Sequence, residues 1–150
     1  MRKKWVFRAF IISFLVYSSF GCSNPDISVN PLIDIGKIAN QPPSVVEGYL
    51  GKEDEQTKYG KMEKSYQDEQ YVITYVNNKA QIIQYVPKEE VKMPLSTKKT
   101  LQLFSLNEKK PTNETDTYVE WSNYGVFQKI KIEHKKRYVK EIEFICKNNS

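Results

Sequence analysis

The stretch that most limits the fold is Tyr71 to Val86. Tyr71, Ile73 and Tyr75 alternate with Val72, Thr74 and Val76, a period of two that sends successive side chains to opposite faces of an extended strand. Asn77-Asn78 follows, and asparagine accepts the positive φ that a tight hairpin turn demands. Ala80 to Val86 returns as the partner strand, and Pro87, with no N–H to donate, ends it. A two-stranded hairpin is marginal in water, so neighbouring segments must add strands or cover its apolar face.

The neighbouring segments supply both. Leu32, Ile33, Ile35 and Ile38 predict a short amphipathic turn or helix stopped by Asn40 and Pro42-Pro43. Pro43 suits the first position of a second helix, where its missing N–H costs nothing. There Val45, Val46, Tyr49 and Leu50 are expected on one face, and Gly51 closes it. A charged loop, Lys52 to Gly60, leads to an expected strand at Met62 to Gln67, with Asp68-Glu69 as its turn. Beyond a charged connection, Lys88 to Pro94, the same order returns. A helix capped by Ser96 or Thr97 carries Leu101, Leu103, Phe104 and Leu106, and a polar loop spans Asn107 to Asp116. A strand at Thr117 to Ser122 holds Trp121, and Asn123-Tyr124-Gly125 makes its turn. Phe127 to His134 and Tyr138 to Cys146 form a second hairpin around Lys135-Lys136-Arg137. This pattern predicts an α+β fold: one antiparallel sheet with helices on one face, in a single domain over 32–147. Two helix-plus-strands repeats, at about 32–87 and 95–147, are expected to build it.

Upstream the composition changes. Arg2, Lys3, Lys4 and Arg8 surround the start of an apolar run from Trp5 to Phe20, and no acid precedes Asp26. A basic start before an apolar stretch is the pattern of an export signal, and the run is shorter than the ~20 residues that span a bilayer. Residues 1–21 therefore read as a signal peptide and 22–31, with Pro25 and Pro31, as a tether. Removing the leader takes away four of the 23 Lys+Arg and none of the 18 Asp+Glu. The remainder is nearly neutral at 19 against 18, so the basic balance is a targeting feature and a nucleic-acid partner loses its electrostatic footprint.

The junction Ser19-Phe20-Gly21-Cys22 resembles the lipobox of bacterial lipoproteins, with Gly21 and Cys22 at its two strictest positions and Ser19 and Phe20 departing from the usual residues. The resemblance implies a diacylglyceryl thioether on Cys22, cleavage before it, and anchoring of the mature chain to a membrane of the cell envelope. Ser23 in the following position resembles the outer-membrane-directed type, on the periplasmic side if the cell is Gram-negative. An ordinary secretory signal, cut near Ser18-Ser19 or at Gly21, is the alternative and leaves a soluble protein. Within the domain, Val45-Val46-Glu47-Gly48-Tyr49-Leu50-Gly51-Lys52 and Tyr75-Val76-Asn77-Asn78-Lys79-Ala80-Gln81-Ile82-Ile83 are similar to motifs of SmpA/OmlA-type lipoproteins and the wider group with the β-lactamase-inhibitor-protein-like fold. Glu53 and Asn78 stand where those motifs have Pro and Gly. That resemblance implies a small envelope domain that binds a protein partner or inhibits a secreted enzyme.

Residues that carry chemistry are few. The single histidine, His134, lies beside a lysine-rich turn and reads as a solvated imidazole, and Cys146 ends an apolar strand as a core thiol. One histidine and one spare cysteine cannot build a zinc shell, and Glu53-Asp54-Glu55, Asp68-Glu69 and Glu89-Glu90 lack the spacing of a calcium loop. No catalytic residue, metal or cofactor is expected, and the function expected is non-enzymatic binding or assembly with an envelope protein. Two surfaces stay open. Tyr66, Tyr71, Tyr75, Tyr85 and Trp121 form either a protein-binding face or packing beneath the helices. His134 to Arg137 either meets anionic headgroups or only solvates a turn.

Overall fold

The computed structural model describes residues 30–54, 62–88, 96–136 and 138–148. The leader, Cys22, most of the 22–31 tether and the pair Glu89-Glu90 lie outside the described residues.

A 3₁₀ turn at Ile35–Lys37 precedes helix α1 (Pro43–Leu50) and the meander β1 (Glu63–Tyr66), β2 (Tyr71–Val76) and β3 (Lys79–Tyr85). Helix α2 (Thr97–Leu103) then precedes β4 (Asn113–Glu114), β5 (Tyr118–Tyr124), β6 (Phe127–Lys135) and β7 (Tyr138–Cys146). The strands form one antiparallel sheet in the order β1-β2-β3-β7-β6-β5-β4. The fold is therefore α+β, and strands make most of it. Its centre is the β3–β7 pair, the last strand of each series, with Ile83 opposite Phe144 and Tyr85 opposite Ile142.

Local chemistry places the elements. Pro43 opens α1 and Gly51 ends it at φ 88, ψ −172, a conformation that favours glycine, with its N–H on Glu47 O. Asn77 and Asn78 both have positive φ, 50 and 61, as the hairpin turn requires. Ser96 stands at the N-cap of α2 without a side-chain cap bond. The α1 face is narrower than the sequence suggests. Val46 and Leu50 are buried, whereas Val45 and Tyr49 are 37% and 49% exposed, because only the i, i+4 pair points at the sheet. β4 falls inside the expected polar loop; its two exposed residues pair with Val119 and Glu120.

One hydrophobic cluster joins the helical residues Val46, Leu50, Leu101 and Phe104 to the inward side chains of the strands. At its middle runs a relay of rings: Tyr71 to Tyr85 (5.1 Å), Tyr85 to Phe104 (5.2 Å), Phe104 to Phe144 (5.1 Å) and Phe144 to Phe127 (5.5 Å). Phe104, at the end of α2, thus bridges the two hairpins across the central β3–β7 pair.

Candidate functional site

The core claims the large aromatics. Tyr66, Tyr71, Tyr75, Tyr85 and Trp121 are all buried, so of their two readings the structure selects packing. Three of their polar tips are satisfied inside: Tyr66 and Tyr75 share a hydroxyl–hydroxyl bond of 2.9 Å, and Trp121 Nε1 donates to Lys109 O at 2.8 Å. Burial, and then the bond that the Tyr75 hydroxyl makes to Tyr66, push the Tyr75 hydroxyl far above the usual phenol range; burial does the same for Tyr71.

With the aromatics turned inward, the opposite face of the sheet presents a cross-strand ladder. One row reads Glu63, Thr74, Ile82, Ile145, Lys129, Ser122 across β1, β2, β3, β7, β6 and β5. The next reads Ser65, Val72, Gln84, Glu143, Lys131, Glu120, and a third, shorter row brings Glu141, Glu133 and Tyr118 together. Lys131 stands between two cross-strand carboxylates, Glu120 and Glu143, and its Nζ lies 2.6 Å from Glu133 Oε1 and 5.1 Å from the centre of the Tyr118 ring. The bond to Glu133 holds the Lys131 ammonium above its usual range, and the same bond holds Glu133 below the carboxylate range. Glu141, directly opposite Glu133, accepts from Gln84 Nε2 at 3.1 Å. Alternating charge of this sort suits recognition of a surface of complementary pattern.

Two depressions mark this region. One, of about 420 Å³, is lined by Thr117, Tyr118, Lys131, Glu133, His134, Lys135 and Lys140. The other, of about 390 Å³, is lined by Ser122, Asn123, Gln128, Lys129 and Ile145. Neither sets a nucleophile against a base. Glu133 is committed to Lys131, and Cys146 is 2% exposed with its thiol pushed up to about 11 by burial. His134 departs from the solvated imidazole expected of it: both ring nitrogens are shielded from solvent and make no hydrogen bond to the described residues. Among the described residues no group of three His, Cys, Asp or Glu could hold a metal ion, and no helix is long and apolar enough to cross a membrane. Cys22, the expected lipidation site, lies outside the described residues.

No family model and no curated protein matches the chain. Among solved structures it is similar to a cysteine-rich secretory protein from Staphylococcus aureus, at 13% identity and a TM-score of 0.39. The match covers 80% of this chain and 51% of that one, so the chain spans about half the length of its neighbour.

Proposed function

We propose that the chain is a lipid-anchored module of the bacterial cell envelope that binds another envelope protein and catalyses no reaction. Its anchor is the acylated Cys22, and its binding surface is the face of the sheet opposite the core. The observation that carries the reading is the juxtaposition of a lipobox-type junction, Gly21-Cys22, with a domain whose sheet face opposite the core bears the half-buried Glu120–Lys131–Glu143 ladder. A module held close to a bilayer needs only modest intrinsic affinity, because anchoring raises its effective concentration toward other envelope proteins.

The test is site-specific photocrosslinking in the producing bacterium. A photoreactive residue at Glu120 or Glu143 is expected to give an adduct of one defined size, and one at Tyr49 on α1 none. Lys131→Glu, which sets a fourth carboxylate beside Glu120, Glu133 and Glu143, is expected to abolish the adduct. Equal crosslinking from both faces, or none from the ladder, contradicts the reading.

A further inference from the structure

We propose that the end of the β6–β7 hairpin is a contact for anionic lipid headgroups that fixes the orientation of the domain on its bilayer; the inference rests on the anchored reading above. The observation behind it is a cluster of lysines that the fold gathers. Glu133 pairs with Glu141 and His134 with Val139, so Lys140 is the extra residue of a bulge. The bulge brings Lys140 to the same depression as Lys131 and Lys135. Lys135, Lys136 and Lys140 are exposed. Among the described residues, no carboxylate lies within salt-bridge distance of Lys135 or Lys136, while Glu133 is held by Lys131 at 2.6 Å. Asp116, Glu141 and Glu143 are the other acids near this end; Asp116 is exposed, Glu141 is engaged by Gln84, and Glu143 stands cross-strand from Lys131. Tyr138, paired with Lys135 and 45% exposed, adds an aromatic ring with a polar tip, the kind of side chain that settles at a headgroup boundary.

Chain length favours a membrane as the occupant. Seven residues separate Cys22 from Asn30, the first described residue, and even fully extended the eight steps between them reach no more than roughly 29 Å. The domain then rides on the bilayer that holds Cys22. Leu32 N–H bonds Leu103 O and Asn40 N–H bonds Ala80 O. Ala80 lies at the end of β3 away from the β6–β7 turn, since Ile82 faces Ile145 and Tyr85 faces Ile142. Asn40 is therefore held at the end of the sheet opposite the lysine cluster, which leaves the cluster's end of the sheet clear of it. Clustered lysines beside an anionic leaflet are attracted over a distance of about a Debye length, roughly 8 Å at physiological salt.

The test uses the full chain made with its own leader, purified from membranes and reconstituted into vesicles. Lys135→Cys carries a fluorophore; Cys146 is buried and stays unlabelled. Vesicles of phosphatidylcholine alone are compared with vesicles containing phosphatidylglycerol, each with a headgroup nitroxide as quencher. Quenching is expected only with phosphatidylglycerol, and is expected to vanish at high salt and in Lys136→Asn/Lys140→Gln, where Asn tolerates the positive φ of 51 at that position. A label at Lys79→Cys, at the far end of the sheet, is expected to stay bright. Equal quenching at both labels, equal quenching in neutral vesicles, or quenching that survives the double substitution overturns the contact. Intact mass of the same preparation separates the two ideas: acylated protein with a bright Lys135 label refutes the headgroup contact alone, and unacylated protein refutes the anchor and the contact together.

Discussion

Two residue-level features store energy that can be read out. The Tyr66–Tyr75 hydroxyl pair sits inside the core at 2.9 Å, so removing one partner strands a buried hydroxyl while removing both does not. Tyr66→Phe or Tyr75→Phe alone is expected to cost about 1–2 kcal/mol in urea unfolding, and the double variant little more than either single one; strict additivity contradicts the pairing. The second feature is the turn after β1, where Gln67, Asp68 and Glu69 hold φ of 57, 56 and 61 in succession. Left-handed runs of L residues are costly, and Asp54 supports this one by accepting the N–H groups of Asp68 at 3.2 Å and Glu69 at 3.0 Å. Burial pushes the Asp54 carboxyl up, but hydrogen bonding, with the backbone N–H groups of Glu69 and Asp68 donating to it, outweighs burial, and the net shift is downward. A carboxyl lowered on folding stabilises above its unfolded pKa, near 3.9, and that stability disappears as pH falls through the folded value. Asp54→Ala is therefore expected to lose about 1 kcal/mol near neutrality, with the gap to the unsubstituted protein closing below pH ~4; a gap that persists in acid contradicts the account.

Among the elements, α2 matters less for its seven residues than for the ring at its end. Phe104 touches Tyr85 of β3 and Phe144 of β7 across the central pair of the sheet. Phe104→Ala is expected to destabilise by about 3–5 kcal/mol in chemical denaturation, the range for emptying a buried aromatic site; a loss below about 1 kcal/mol would place the join elsewhere. The elements also show where sequence reading stops. Asn77-Asn78, Pro43 and Gly51 each carry their own conformational chemistry, so the β2–β3 turn and both ends of α1 were legible. Strand parity was legible only between bulges. Register shifts between Phe127 and Lys129, and between Glu133 and His134, put Phe127 inward with Ile130 and free Lys140 from the alternation, and a bulge leaves no compositional mark of its own. Parity likewise shows that Tyr71 and Tyr75 share a face but not that this face is the buried one, since a tyrosine ring suits either side. β4 was missed because Asn113 and Glu114 are polar, exposed and paired over two residues only. The Glu120–Lys131–Glu143 ladder depends on pairing between three strands and could not be read from any one of them.

At the scale of the whole molecule, a single core joins the two helices to one face of a seven-stranded sheet and leaves charged rows on the other. The division follows from alternation within the strands, and it gives that face of the domain a polar, patterned surface. The proposed anchor at Cys22 would decide where that surface is held, and the proposed function turns on it. The most direct measurement is mass spectrometry of the N-terminal peptide of the protein isolated from the membranes of its own host. The account predicts a chain that begins at Cys22 with a diacylglyceryl group on its sulfur, and a processed form that disappears when the lipoprotein signal peptidase is inhibited. A chain beginning at Met1, or at any residue other than Cys22, or a bare thiol on Cys22, would contradict it.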